Sequence, residues 1–379
     1  SCKKEGCMDE KATNYDEKAK KDDGTCSYPE VQEDTNLSGD VTENRTLKTG
    51  NTYTLKGGVH VKEGATLTIE KGVTVEGDAT ESVPYILVEP GAKIMAEGTA
   101  DEPIILTATV KERGSWGGLI VCGKAPVNSG ERTAEVGDVT YGGTVSGDNS
   151  GVIKYVRIEY SGNTINSEKE HNGLTLNGVG SGTTVEYVEV YQGKDDGFEF
   201  FGGTVNALNI LVVNAKDDMF DFTQGYTGTC TNLYGVRENG YTAVTSDPRG
   251  IEADGNLDGN SPSDINESNF TINGVTIINN ADGVQMSDGI KVRRDATATI
   301  TNAYLELGAG AIFSDVIDLQ DGKSDADDAT SITAVASTAN GLDITDVKNT
   351  VSGGATINLT AGTSGVADKT VFSWTGYSF

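Results

Sequence analysis

Two near-copies of one acidic segment, beginning at residues 194 and 216, lie 22 residues apart: Lys194-Asp195-Asp196-Gly197-Phe198-Glu199-Phe200 and Lys216-Asp217-Asp218-Met219-Phe220-Asp221-Phe222. If the copies stack, two Asp pairs come together with Glu199 and Asp221, and Glu252 and Asp254 extend the row. Like charges on neighbouring strands repel and need compensation. A hard cation with oxygen ligands, calcium above all, would supply it. Lys194, Lys216, Arg249, Lys291, Arg293 and Arg294 would supply it too. A third use needs no ligand: Asp beside a tight turn caps backbone N–H groups. Cation site and turn-with-ion-pair both stand at this point.

The elements that position these residues are legible in a wider echo. Asn172-Gly173-Leu174-Thr175-Leu176, Arg249-Gly250-Ile251-Glu252-Ala253 and Asp288-Gly289-Ile290-Lys291-Val292 share the form of the two acidic copies. Each reads polar, usually Gly, then apolar, polar, apolar. Spacing in the twenties, with strand alternation inside each unit, is the mark of a solenoid. A propeller would repeat nearer 40 residues, with four strands per blade. A second echo runs through Thr184–Val190, Thr204–Ile210, Thr229–Leu233 and Thr299–Leu305. The expected fold is all-β: one right-handed, single-stranded parallel β-helix over 35–379, preceded by a short segment, 1–34. Leu174, Phe198, Phe220, Ile251 and Ile290 should stack inside it. Thr175, Glu199, Asp221, Glu252 and Lys291 should line an outer face.

Gly114-Ser115-Trp116-Gly117-Gly118-Leu119-Ile120, Ser150-Gly151-Val152-Ile153-Lys154-Tyr155-Val156-Arg157-Ile158-Glu159-Tyr160 and the paired Asp-Asp-x-Phe-x-Phe carry a resemblance. From about residue 35 onward the chain resembles right-handed parallel β-helix surface lipoproteins of Bacteroidetes-like bacteria. The resemblance implies a fold and a cell surface, and little about activity. Many β-helices cut acidic polysaccharides. The lyases use calcium with an Arg or Lys, a part open to Lys194, Lys216, Arg249 and Lys291. Polygalacturonase-like hydrolases use a carboxylate pair as acid and base. Their pattern includes Asp-Asp, Gly-His-Gly and Arg-Ile-Lys. Asp195-Asp196 is present, Gly289-Ile290-Lys291 is a distant match to the last, and Gly-His-Gly is missing. The two histidines are His60 and His171, and His171 reads as a turn residue. There is no Ser/His/Asp set, no clustered Cys/His metal site and no phosphate loop.

The start of the chain is distinct. Ser1-Cys2-Lys3-Lys4-Glu5 resembles a bacterial lipoprotein processing site, which implies an acylated Cys2 as the membrane anchor. Gly6-Cys7-x-Asp9 through Ala12-x-Asn14-Tyr15 and on to Asp22-Asp23-Gly24-x-Cys26-x-Tyr28-Pro29 resembles a small cysteine module of secreted proteins from such bacteria. In an oxidising compartment Cys7 and Cys26 should pair, because so short a segment cannot build a core. Asp16, Asp22 and Asp23 are candidate calcium ligands or acidic turn residues, without EF-hand spacing. Cys122 and Cys230 sit in strand-like runs and read as buried thiols.

Composition sets the outer bounds. There are 49 Gly and only 7 Pro, which argues for many tight turns. Asp plus Glu number 57 against 29 Lys plus Arg, a net charge of −28, which disfavours nucleic acid and anionic lipid surfaces as partners. No apolar run reaches the roughly 18 residues of a membrane span. No secretory leader is present, as expected of a processed form. The favoured expectation is a lipid-anchored protein of the bacterial outer membrane and cell surface, or a secreted one. It would bind glycan, matrix or a surface protein without catalysis, touching the membrane through the N-terminal lipid alone. Tyr141, Tyr155, Tyr160, Tyr187, Tyr191 and Tyr226 are candidate sugar-stacking rings. A calcium-dependent polysaccharide lyase or glycoside hydrolase is the alternative, and an accessory lipoprotein of an outer-membrane complex is a third. An open groove with a cation beside an exposed Arg or Lys would favour the enzyme. A face covered by 237–269 would favour the binder.

Overall fold

The computed structural model describes residues 3–28, 33–165, 169–256 and 266–379. The chain divides into two units, Ser1–Thr35 and Asn36–Phe379.

The first unit is small and held by polar contacts. Glu5–Gly6 pairs in parallel with Lys21–Asp22. Cys7 and Cys26 form a disulfide, with their Cα atoms 4.8 Å apart. Asn14 ties the two ends together, donating to Thr25 O at 2.6 Å and accepting from Ser27 N at 2.7 Å. The three candidate calcium ligands are engaged by the segment itself. Asp16 meets Lys4 at 2.6 Å, while Asp22 and Asp23 accept from Gly24 N and Thr25 N. Cys2 lies outside the described residues.

The second unit is a parallel β-helix. In its central coils each strand pairs with the strand two places on. One series runs Leu119–Cys122, Leu174–Asn177, Phe198–Phe201, Phe220–Thr223, Arg249–Asp254, Gln285–Arg293 and Ile312–Asp318. This ladder sheet carries the acidic segments. The other series runs Gly151–Glu159, Thr184–Tyr191, Asn206–Val213, Thr229–Arg237, Asn269–Asn279 and Thr297–Leu307.

Each strand of the second series folds over a corner. Tyr155, Tyr187, Asn209, Asn232, Gly274 and Asn302 have φ of 50°, 53°, 57°, 58°, 84° and 55°. Register places them one above another. A left-handed residue bends the strand, so each strand serves two sheets and the coil closes around three. Asn tolerates this region because its short amide bonds locally. Here the amides also bond up the stack, Asn232 Nδ2 donating to Asn209 Oδ1 at 2.7 Å. Tyr155 and Tyr187 stack instead, centroids 4.5 Å apart.

The core is a set of axial ladders. Leu174, Phe198, Phe220, Ile251 and Ile290 are register partners and fully buried. Beside them, Phe200 stacks on Phe222 at 5.0 Å, Phe222 on Phe270 at 4.5 Å, and Tyr226 closes the cluster. The recurrent Gly has a steric reason. A Cβ at Gly197 would sit 2.6 Å from Met219 O, and one at Gly250 2.5 Å from Gly289 O. Where Met219 replaces Gly, Gly235 opens the space; a Cβ there would meet Met219 Sδ at 2.3 Å.

Two coverings lie on outer faces. The antiparallel pair Glu131–Thr133 and Thr140–Gly142 belongs to a segment whose Val127, Ala134 and Tyr141 pack on Leu87, Ile120 and Phe201. The 3₁₀ helix Lys369–Thr375 brings Phe372 against Leu211, Val213, Tyr234, Val236 and Ile278. No helix among the described residues is long and apolar enough to cross a membrane.

Candidate functional site

The pleat sends alternate ladder residues outward, and parallel pairing repeats the same position every coil at about 4.8 Å. Three outer rows result. The central row is Thr175, Glu199, Asp221, Glu252, Lys291 and Asp318. On one side runs Asn172, Asp196, Asp218, Arg249, Asp288 and Asp315, with Asp195 and Asp217 just before it in the chain. On the other side Thr223, Asp254 and Arg293 align. Asp254 therefore stands beside the Glu252 row rather than in it.

The face splits into two halves with different electrostatics. From Arg249 onward every acid in these rows meets a cation. Arg249 contacts Glu252 and Asp288, each at 2.8 Å. Arg293 reaches Glu252 at 2.5 Å and Asp254 at 2.7 Å, and Arg294 reaches Asp254 at 2.7 Å. Lys291 pairs with Asp318 at 2.7 Å, and Lys348 with Asp315 at 2.7 Å. Most of these pairs join one coil to the next, so cations on one coil neutralise acids on its neighbour.

The other half holds Asp195, Asp196, Glu199, Asp217, Asp218 and Asp221. None of the six has an ion pair within 4 Å among the described residues. Lys194 and Lys216, both half-buried, form no ion pair there either. The oxygens of Asp195, Asp196 and Asp217 lie within 4.8 Å of one another, and so do those of Asp196, Asp218 and Asp221. Neutral donors satisfy part of the set. Asp196 accepts from Asp218 N at 2.8 Å and Asp218 from Arg249 N at 2.6 Å, so each caps the backbone of the following coil. Asp217 accepts from Thr245 Oγ1, and Glu199 from Asn172 Nδ2. One oxygen of Asp221 and the amide oxygen of Asn172 are buried without a partner.

Burial and mutual repulsion act in one direction. Burial first, then the neighbouring carboxylates, push Asp196, Glu199, Asp218 and Asp221 well above the ordinary carboxyl range. Asp195 moves the same way, with Glu170 as its nearest repelling charge. Asp217 is pushed up to about 6, chiefly by burial. Such a set either keeps protons or takes a cation. Clustered carboxylate oxygens with an amide oxygen nearby are the donor chemistry of calcium.

The parts for acid–base catalysis are placed elsewhere or occupied. Arg249 and Lys291 are buried in the ion pairs above. His171 is buried, its Nδ1 has no partner, and burial lowers its pKa to about 4. His60 lies between Glu89 at 3.2 Å and Tyr85 OH at 3.1 Å, on the central row but four coils before Glu199. Cys122 and Cys230 are buried thiols, each pushed up to about 12 by burial. Of the candidate stacking rings, Tyr141 and Tyr226 are buried. Their hydroxyls are spent on Gln224 Oε1 and Val205 O, so neither reaches a sugar. Tyr155, Tyr160, Tyr187 and Tyr191 remain partly exposed.

No curated protein and no solved structure matches the chain. One family model, described as a pectate-lyase-like β-helix domain, matches residues 39–375. That span takes in the corner strands, the acidic ladder and the covering segments alike, and on it the chain belongs to the pectate-lyase-like β-helix family.

Proposed function

We propose that this chain is an extracellular β-helix protein that holds calcium in the Asp195–Asp221 cluster and binds glycan on its coil surface without cleaving it. One observation carries the reading: six facing carboxylates form no ion pair among the described residues, while the acids of the same three rows in the following coils each form one. One oxygen of Asp221 is without a partner, and the unpartnered amide oxygen of Asn172 adds a neutral donor beside the six. The non-catalytic part is supported by Arg249 and Lys291, which are buried and paired. Lys194 and Lys216 form no ion pair among the described residues, and incubation with polyuronates decides whether either serves a lyase.

Calorimetric titration of the whole chain with calcium tests the metal, with Asp218→Asn plus Asp221→Asn as the control. Saturable binding that this double variant abolishes supports the site, and no heat from the native chain overturns it. Incubation with polyuronates and calcium tests the rest. Unsaturated or shortened products would move the assignment to the lyase or hydrolase reading.

The anchoring part of the proposal rests on the N-terminal sequence. Cys2 carries the lipid, and the chain is held at the surface of a Bacteroidetes-type bacterium. Intact mass of protein extracted from membranes of its own source would show the acyl groups. An unmodified Cys2 there would remove the anchor.

A further inference from the structure

Three separate segments meet around a concavity of about 480 Å³ lined by Lys111, Glu112, Arg113, Tyr160, Tyr191 and Gln192. Its size lies within the usual range of small-molecule sites, roughly 300–1,000 Å³. Tyr160 and Gln192 hold equivalent places in successive coils, where the corner strand ends. Tyr160 N donates to Tyr191 O, Gln192 N to Val213 O, and both residues have φ of 60°. A left-handed conformation at two side-chain-bearing residues costs free energy and is retained where surroundings enforce it. The Tyr160 and Tyr191 rings meet edge to face, 5.9 Å apart at 84°.

Arg113 is the fixed point of the concavity. Its Nε donates to Gln192 Oε1 at 2.9 Å, and its guanidinium lies 4.0 Å from the Tyr241 ring centre. No carboxylate pairs with it among the described residues; besides Gln192 its polar neighbour is the Tyr241 hydroxyl. A guanidinium held by its Nε edge and by one face presents the remaining fork outward. That geometry suits a carboxylate or sulfate taken by two parallel hydrogen bonds. Lys111 Nζ stands by, 3.3 Å from Glu76 and 3.2 Å from Thr107 Oγ1. Lys111 is already paired with Glu76, so Arg113 is the cation this place offers, beside Glu112, on a chain of net charge −28.

We propose that this corner is a subsite for one anionic sugar residue of an extended glycan. The pyranose ring packs on Tyr160 and Tyr191, and its carboxylate or sulfate takes the Arg113 fork. This rests on the glycan-binding reading above but not on the calcium cluster. The test is calorimetry of the full chain in EDTA with three probes: trigalacturonate, a sulfated trisaccharide and a neutral trisaccharide. The native chain should bind an anionic probe at least about tenfold more tightly than the neutral one, the scale of one charge-assisted contact. Preference between the two anionic probes identifies the acid group. Arg113→Ala and Tyr160→Ala should each weaken binding about tenfold or more at an unchanged melting midpoint, with partial rescue by Arg113→Lys. Binding that survives Arg113→Ala, or inorganic sulfate binding as tightly as the saccharide, overturns the subsite alone. No binding of any trisaccharide overturns the glycan reading with it.

Discussion

Raising the pH of the calcium-free chain should weaken the solenoid, and calcium should restore it. In each carboxylate triad the facing oxygens lie within 4.8 Å. Two unit charges at that distance repel by about 3.5 kcal/mol at an effective dielectric of about 20. Three ionised groups make three such pairs, about 10 kcal/mol, which rivals the net stability of a whole domain. The empty cluster therefore holds protons that the unfolded chain would release near pH 4. The folded values are raised, so the contribution to stability is complete below about pH 4 and is lost as pH rises through them. Asp217, at about 6, marks one step inside that window. Each proton held only by the folded state tilts stability by about −1.4 kcal/mol per pH unit. Calcium bound to the folded state adds about 2.7 kcal/mol at a hundredfold excess over Kd, and its entry expels the protons. Melts across about pH 5 to 8, in EDTA and in calcium, read the slope directly. Calorimetry in two buffers of different ionisation enthalpy counts the protons released. Asp196→Asn plus Asp218→Asn should flatten the EDTA slope. A flat EDTA profile and no calcium shift in the native chain would refute the argument, because six crowded carboxylates cannot be indifferent to both ligands.

The other expectations are local. Phe222→Ala removes a ring packed between Phe200 and Phe270 and should cost about 3–5 kcal/mol, seen as earlier unfolding in denaturant; an unchanged midpoint would contradict the ladder core. Arg249→Ala strips Asp288 of its cation and should cost about 3–5 kcal/mol at neutral pH, with the loss shrinking as falling pH passes the burial-raised pKa of Asp288 and that carboxyl takes up a proton. Asn232→Gly should be nearly neutral, whereas Asn232→Val should cost about 1–2 kcal/mol for a β-branched residue at φ 58°; equal melting points for the two would count against the strained corner. Non-reducing intact mass should find Cys7 and Cys26 joined, and reduction should loosen residues 3–28 in hydrogen exchange while the buried ladder stays protected.

The repeat made most of the architecture legible. Polar–Gly–apolar–polar–apolar at intervals of about one coil can satisfy its backbone only by stacking, so the register Leu174–Phe198–Phe220–Ile251–Ile290 follows from the text. The same alternation puts Glu199, Asp221, Glu252 and Lys291 in one outward row. The corner row was also written there, as Tyr187, Asn209, Asn232 and Asn302 in the second echo. Alternation alone does not separate a straight strand from one bent at a left-handed residue.

Charge pairing was legible only in part. Of the six cations the sequence offered, Arg249, Arg293, Arg294 and Lys291 make ion pairs across coils, joined by Lys348, whereas Lys194 and Lys216, which stand beside the acidic pairs in the chain, make none among the described residues. A side chain's chain neighbours in a β-helix point to other faces, while its electrostatic neighbours lie one coil away. The same reason hid Arg113, whose contacts are Gln192 and Tyr241, 79 and 128 residues on (192−113 and 241−113). The sequence by itself determined the coil, its buried ladders and the identity of the outward row, because these depend on a periodic pattern. Only the tertiary structure decided which carboxylates are neutralised and which face one another bare. That depends on distances between coils, and inserted loops such as 237–248 make those distances unreadable from the chain.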